Sequence, residues 1–249
     1  MLNCETTEKL RSMNLGTMAR YFDKQLSDAN ISSLTFEERF SMLVDVEWTT
    51  RRNNRLKRLI RAANYSETEA ALEDIDYAPD RALDRALLER LSSCDYILKC
   101  RNVILLGATG SGKTYISSAL GMKASRSFMT VRYIRLPELL TDLAIARSEG
   151  TYKKVLKTYK TVSLLIIDEW LLTPLKDTEA RDLLEIVEGR YHKGSTIFCS
   201  QFDVKGWHEK IGDHTLADAI VDRIVHDAYT ITIKGKESMR KKNGFKQRD

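Results

Sequence analysis

The stretch Gly107-Ala108-Thr109-Gly110-Ser111-Gly112-Lys113-Thr114 decides the fold, because it fits the phosphate-loop pattern G-x-x-x-x-G-K-[ST]. It follows the apolar run 103–106 and precedes the helical run 115–127, which gives the strand, loop and helix that the pattern requires. Its glycines let backbone N–H groups turn toward phosphate oxygens, and the start of the helix adds its dipole. Lys113 is expected to reach the β- and γ-phosphates of ATP, and the Thr114 hydroxyl to bind Mg²⁺. A glycine-rich turn without a ligand is the alternative, which the flanking strand and helix disfavour.

Five short runs beyond residue 102 have the character of strands, with helical segments between them. They are 103–106, 131–134, 164–167, 196–199 and 229–233. The first four are too continuously apolar, or too rich in β-branched residues, for half-exposed hairpins, which favours a buried parallel sheet. This alternation predicts an α/β domain with a five-stranded parallel sheet flanked by helices.

The part of the chain before about residue 99 has a helical pattern almost throughout. Thr35 and Glu38 have the capping-box spacing and are expected to open a long helix. Ser66 and Glu69 repeat that spacing and predict a short helix, and a third helical run extends from 81 to 99. Three parts are therefore predicted. A small helical domain at 1–78 would bind DNA or a partner, an AAA+ ATPase domain would occupy 79–233, and a basic tail would follow at 234–249.

Polar residues at the ends of two predicted strands are candidates for ATP hydrolysis. Asp168 ends the apolar run 164–167, where a carboxylate is costly unless it meets a cation or hydrogen bonds. We expect it to bind Mg²⁺ beside the phosphate loop, with Glu169 as the base that activates water. Ser200 and Gln201 would sense the γ-phosphate or hold the water. The alternative in both places is an ordinary turn after a strand.

An arginine near the end of the chain is a candidate for catalysis in a neighbouring subunit. Arg223 lies in the helical run 217–225 and would supply charge as an arginine finger, with Arg190 in reserve. A surface salt bridge with Asp222 or Asp227 is the alternative. Only about sixteen residues follow the last predicted strand, so we expect no C-terminal lid domain. An ATP site left open on that side needs a second subunit, which predicts an ATP-dependent oligomer.

Composition excludes several classes of protein. No apolar run approaches the roughly 20 residues that span a bilayer, and residues 1–10 have no apolar core of a signal peptide. The four cysteines have no zinc spacing and are expected to be reduced thiols of a cytoplasmic protein. The four histidines have no metal-ligand spacing either, so Mg²⁺ is the one metal that we expect.

Two basic segments favour a polyanionic partner. The first holds six basic residues and no acidic one, at Arg51, Arg52, Arg55, Lys57, Arg58 and Arg61. Leu56 and Ile60 lie on one helical face of this segment and the arginines on another, which suits contact with DNA phosphates. A solvated helix face is the alternative. The second segment, 234–248, has seven basic residues against one glutamate. No helix-turn-helix or zinc module is present, so binding to duplex DNA is expected to be largely independent of sequence.

Several segments, taken together, resemble the IstB-like ATPases, which are helper proteins of insertion sequences and relatives of the helicase loader DnaC. Besides the phosphate loop and the run to Glu169, they are Ser195-Thr-Ile-Phe-Cys-Ser-Gln201, Trp207-His-Glu-Lys-Ile-Gly212 and Asp218-Ala-Ile-Val-Asp-Arg223, with 51–61, 71–77 and 235–240. The resemblance covers nearly the whole chain. Phe198 and Cys199 depart from the plainer residues that we expect there, and neither change removes a catalytic group.

The resemblance implies an AAA+ ATPase that assembles on duplex DNA and helps a cognate transposase to select and engage its target. ATP would favour assembly, and hydrolysis would release or remodel it. The same likeness implies Asp168 as the metal residue, Glu169 as the water residue and Arg223 as the arginine that acts in trans.

Two other functions remain open on the sequence. A helicase loader of the DnaC type would share the ATPase module, prefer single strands and bind a replicative helicase. A small-molecule kinase would need a substrate lid and an acceptor pocket, and it leaves Glu169 and the basic helix unexplained.

Overall fold

The computed structural model describes residues 2–28, 30–235 and 239. The chain forms two compact units, one up to Arg58 and one from Leu59 onward. The helices are α1 Leu2–Ser12, α2 Gly16–Ser27, α3 Phe36–Ala63, α4 Arg85–Ser92, α5 Asp95–Leu98, α6 Lys113–Arg126, α7 Leu136–Ser148, α8 Tyr152–Thr161, α9 Asp177–Arg190, α10 Val204–Ile211 and α11 His214–Val225. The strands are β1 Asn102–Gly107, β2 Val131–Arg135, β3 Leu164–Trp170, β4 Ser195–Ser200 and β5 Ala228–Ile233.

The smaller unit is helical, as predicted. The capping box that opens α3 is present: the backbone N–H of Thr35 donates to Glu38 Oε2 at 2.9 Å, and that of Glu38 donates to Thr35 Oγ1 at 3.3 Å. The buried Glu47 carboxylate of α3 accepts hydrogen bonds from Met18 N at 2.8 Å and from Arg51 Nε at 2.6 Å. This carboxylate therefore fixes the start of α2 on α3.

The larger unit is built on the predicted five-stranded parallel sheet, in the order β2-β3-β4-β1-β5. Each predicted strand is found and is longer than predicted by one to three residues. The register pairs Leu106 with Ser200, and Arg135 with Asp168, at the carboxyl ends of their strands. The phosphate loop, the two acidic residues and Gln201 therefore follow one edge of the sheet, where open α/β sheets bind their ligands.

Two apolar cores cover the two faces of the sheet. The first contains buried residues of α6 and also Tyr65 and Ile75, from the segment between α3 and α4. The second contains buried residues of α7 to α11 around Trp170 and Trp207. Because Tyr65 and Ile75 pack in the sheet's own core, the compact unit begins well before residue 79. The functional boundary between residues 78 and 79 stays a prediction. Most of the tail 234–249 lies outside the described residues, so the expectation that no lid domain follows β5 also stays a prediction.

Two helical predictions before the sheet are wrong. The residues 66–69 form no helix, because Asn64 ends α3 with a positive φ of 57° and the following chain packs across α6. The run 81–99 is interrupted twice, at Ala82 and Cys94, whose φ values are 50° and 63°. Asp84 then starts α4 as an N-cap, since its Oδ1 accepts from Leu87 N at 3.0 Å.

Candidate functional site

The phosphate loop joins β1 to α6 and leaves a buried ammonium group without a carboxylate partner among the described residues. Gly110 and Gly112 have φ values of 77° and 97°, a conformation that suits glycine. Lys113 Nζ donates to Gly107 O at 2.7 Å and to Ala108 O at 2.9 Å. Burial lowers the pKa of Lys113 from its ordinary value, while the negative charge of Asp168 opposes that shift. Incoming phosphate oxygens would give this cation stronger partners than the two carbonyl groups.

Asp168 and Thr114 meet beside the loop, as predicted for a metal site. Thr114 Oγ1 donates to Asp168 Oδ2 at 2.6 Å, and Glu169 N donates to Oδ1 at 2.8 Å. The phenol of Tyr133 on β2 also donates to Oδ2, at 2.9 Å. Burial and the charge of Asp168 raise the pKa of Tyr133 well above its ordinary value, so the phenol keeps its proton.

This set of donors fits Mg²⁺. A hydroxyl and a carboxylate oxygen are hard ligands, and Mg²⁺ in nucleotide sites takes one or two carboxylates and completes its shell with water and phosphates. Within the described ranges no group of three or more His, Cys, Asp or Glu side chains could hold a metal ion by itself. Thr114 and Asp168 would hold the ion, and the nucleotide would supply further oxygens.

Glu169 is held at the sheet edge in an unusual backbone conformation. Its φ is 55°, at a register shift between β3 and β4, and positive φ in a non-glycine residue costs free energy. Its side chain is 37% exposed and lies 4.0 Å from Arg135 Nη1. Arg135 also pairs with Glu138. A carboxylate directly after the metal candidate, and open to solvent, has the access that a base for water requires.

The two polar residues at the end of β4, Ser200 within the strand and Gln201 directly after it, differ in position. Gln201 Oε1 accepts a hydrogen bond from Thr109 Oγ1 at 2.9 Å, so it contacts the phosphate loop, and its role toward the γ-phosphate or the water stays a prediction. Ser200 is fully buried, and its hydroxyl donates to Trp170 O at 3.2 Å and accepts from Trp207 Nε1 at 3.0 Å. These interior bonds correct the prediction that Ser200 senses the γ-phosphate, because its hydroxyl is engaged within the second core.

The two candidate finger arginines also differ. Arg190 is 3% exposed and donates to the buried Thr196 Oγ1 and to backbone carbonyls, so its role is structural. Burial lowers the pKa of Arg190 to about 10. Arg223 keeps a partly exposed side chain that pairs with Glu188 at 3.0 Å, rather than with Asp222 or Asp227. Arg223 O lies 3.5 Å from Asn102 Nδ2, at the start of β1. Arg223 is therefore near the amino ends of the strands, whereas its own phosphate loop follows the carboxyl end of β1.

A cavity of about 450 Å³ lies beside the phosphate loop, and no sequence motif predicted it. The segment between α3 and α4 supplies much of its wall, and the lining residues include Glu67, Asp74, Ile75, Asp76, Arg81 and Tyr115. Arg81 is 5% exposed and donates to Ser111 O at 2.8 Å, so it supports the loop from outside. The volume suits a nucleoside. The segment carries no chemical motif. The resemblance of residues 71–77 to the IstB-like ATPases was the only feature of the sequence that pointed to this part of the chain.

The six basic residues of the segment 51–61 in α3 are all exposed, as a DNA contact would require. Arg51 is nonetheless committed in part to the helical unit, since it pairs with Glu47 and its Nη2 donates to Asn14 O at 2.5 Å. The Arg52 guanidinium lies over the Trp48 ring, 5.0 Å from its centre. Across the described residues, no helix has the length and apolar character needed to cross a bilayer.

Comparison with known proteins gives the family. The model of the IstB-like ATP binding protein family matches residues 8–247. The insertion sequence ATP-binding protein y4pL of Sinorhizobium fredii is 42% identical over 97% of this chain and 98% of its own length. The insertion sequence IS21 ATP-binding protein of Pseudomonas aeruginosa is 30% identical over 94% of this chain and 87% of its own.

Solved structures show the fold. The crystal structure of DnaI superposes with a TM-score of 0.56 at 24% identity, over 68% of this chain and 89% of that one. The DnaC helicase loader superposes with a TM-score of 0.52 at 18% identity, over 60% of this chain and 87% of that one. The predicted AAA+ P-loop fold is therefore confirmed, and the chain belongs to the IstB-like family of insertion-sequence ATP-binding proteins.

Proposed function

We propose that this chain is a DNA-binding ATPase that oligomerises on duplex DNA, hydrolyses ATP with Mg²⁺ and helps a transposase to engage its target. The observation that carries the proposal is the contact between Thr114 and Asp168 beside the phosphate loop, with Glu169 next in sequence. Membership of a family of insertion-sequence ATP-binding proteins supports the same function.

The residues of the site divide the chemistry among them. Lys113 and the loop N–H groups would bind the β- and γ-phosphates, and Thr114 and Asp168 would hold the metal ion. Mg²⁺, when bound, neutralises charge on the phosphates as the γ-phosphate leaves. Glu169 would orient a water and accept its proton, and Gln201 lies near enough to the loop to fix that water's position.

Exposed charge supports DNA as the partner. In α3 the basic segment has no acidic residue and all six of its basic side chains are exposed, so phosphate contacts need no rearrangement of the helix. Electrostatic contact of this kind does not depend on base sequence and weakens as salt rises. The protein would act on DNA in the cytoplasm. A transposase would be its protein partner there, because the chain belongs to a family of insertion-sequence proteins.

The position of Arg223 supports the proposed oligomer. This arginine lies near the edge of the sheet away from its own phosphate loop, so it would serve the ATP site of a neighbouring subunit. Its partner Glu188 would have to release it, which an exposed ion pair allows at little cost.

Steady-state ATP hydrolysis with and without long duplex DNA tests the proposal. Stimulation by duplex that fades with added salt and is abolished in Glu169→Gln is the expected result. Hydrolysis that ignores duplex, and responds instead to single strands or to a replicative helicase, would favour a loader of the DnaC type.

A further inference from the structure

The phenol of Tyr133 reaches the buried carboxylate of Asp168, near the carboxyl end of the neighbouring strand β3. Arg135 pairs with Asp168 across β2 and β3, so Tyr133 lies two residues before that pair. A strand advances roughly 3.3 Å a residue, and a tyrosine leaning along its strand spans about two residues. The resulting bond from Tyr133 Oη to Asp168 Oδ2 is 2.9 Å long and buried.

Asp168 is held by three donors from three different parts of the unit. Its Oδ2 accepts from Thr114 Oγ1 on α6 and from Tyr133 on β2, and its Oδ1 accepts from the backbone of Glu169. Rotation of the carboxylate would strain all three bonds at once. Two of the donors belong to Thr114 and Glu169, which have proposed roles in binding the ion and in hydrolysis, whereas Tyr133 has no role there except its bond to Asp168.

We propose that Tyr133 is a positioning residue that fixes the metal-binding orientation of Asp168 before the ion arrives. The inference rests on the proposed Mg²⁺ and ATP site. A ligand already oriented by an outer hydrogen bond loses little freedom when it binds the ion, and removing such a bond typically weakens metal binding about 10- to 100-fold.

Tyr133→Phe tests the proposal, with Tyr65→Phe as its matched control. Tyr65 is a buried tyrosine of the same core, and its hydroxyl bonds Ser125 Oγ at 2.7 Å without touching the loop or a carboxylate. Each change removes one buried hydroxyl and keeps the ring. The measurement is the Mg²⁺ concentration at which a fluorescent, non-hydrolysable ATP analogue reaches half of its metal-dependent gain in affinity.

The expected result is a Mg²⁺ midpoint raised about 10-fold or more in Tyr133→Phe and unchanged in Tyr65→Phe, with equal affinities in EDTA. Equal midpoints in the two variants would overturn the inference. A loss of nucleotide affinity in Tyr133→Phe that is as large in EDTA as in Mg²⁺ would overturn it too, because it would point to a merely structural role. A wild-type protein whose nucleotide affinity ignores Mg²⁺ would instead contradict the proposed function.

Tyr133→Met decides the question if Tyr133→Phe does not fold, because methionine adapts to an irregular core gap and has no hydroxyl that could donate to Asp168. The Mg²⁺ midpoint is again expected to rise about 10-fold or more. An unchanged midpoint in a folded Tyr133→Met protein would overturn the inference.

Discussion

Glu47 shows at the scale of one residue how the smaller unit is stabilised. Its carboxylate is 7% exposed and accepts one bond from the start of α2 and one from Arg51. Burial alone would raise the pKa of Glu47, but the hydrogen bonds from Arg51 and Met18 outweigh burial and hold the pKa below its ordinary value. The charged carboxylate is therefore the form that stabilises the fold.

This shift predicts a dependence of stability on pH. A lowered folded-state pKa contributes stability that is complete above the ordinary value of 4.5 and is lost as the pH falls through the folded pKa. Glu47→Gln is expected to reduce the free energy of unfolding near neutral pH and to flatten its fall in acid. Chemical denaturation, followed by circular dichroism from neutral to acid pH, measures the free energy of unfolding and its fall in acid. Glu8→Gln, at an exposed glutamate, is the control. A Glu47→Gln protein with the acid dependence of the wild type would refute the assignment.

Some residues of the candidate site could be predicted from the sequence and others could not. Lys113, Thr114, Asp168 and Glu169 belong to motifs whose spacing follows from phosphate and metal chemistry. Arg81, by contrast, matters through contacts with a loop thirty residues away, and nothing in its local sequence indicates them. The error at Ser200 has the same origin, since tertiary packing gives its hydroxyl two partners, the backbone carbonyl of Trp170 and the indole N–H of Trp207.

At the scale of the elements, local signals succeeded where packing agreed with them. The strands were predictable because a buried parallel sheet demands continuous apolar runs. The capping box of Thr35 and Glu38 was predictable because both of its bonds lie within four residues. The helix expected at 66–69 failed because tertiary contacts decide that segment: Tyr65 bonds Ser125, and the backbone of Ala71 bonds Tyr115.

The contact between this segment and α6 makes a second prediction. A Cβ on Gly121 would lie 2.6 Å from Tyr65 Cε1 and 2.8 Å from Ile166 Cδ1, both in the core. Gly121→Ala is therefore expected to reduce the free energy of unfolding by about 1–3 kcal/mol, despite the better helix propensity of alanine. Gly16→Ala, where a Cβ meets open space, is the control in urea denaturation. Unchanged or increased stability in Gly121→Ala would contradict the packing.

The basic segment of α3 makes a third prediction. Changing Arg55, Lys57 and Arg58 together to glutamine is expected to weaken duplex binding and to reduce the slope of log K against log salt by about 0.9 for each phosphate that the variant no longer neutralises. Arg51 is left unchanged because it pairs with Glu47. The matched control is the triple change to glutamine of the exposed Lys153, Lys154 and Lys157 in α8. A slope that falls in the control and not in α3 would place the DNA-binding surface elsewhere.

At the scale of the whole molecule, the proposal that a second subunit completes the ATP site can be tested directly. Arg223 lies near the amino end of β1 and the phosphate loop follows the carboxyl end, so the proposal has the arginine serve a neighbour's nucleotide. Subunits carrying Arg223→Ala and subunits carrying Lys113→Ala are each expected to hydrolyse ATP poorly. Their mixture should regain activity, because some sites then combine an intact loop with a neighbour's intact arginine. Activity that stays at the level of the separate variants would contradict the shared site.

In the proposed function, Lys113 binds the nucleotide and Glu169 drives its hydrolysis. Binding of a fluorescent ATP analogue and turnover of ATP, measured side by side in duplex DNA, test it for the wild type, Lys113→Ala and Glu169→Gln. We predict that Lys113→Ala loses both, and that Glu169→Gln binds as the wild type does while turnover falls by about 100-fold or more. Turnover in Glu169→Gln equal to that of the wild type, or a wild-type protein that binds ATP and never hydrolyses it, would contradict the account.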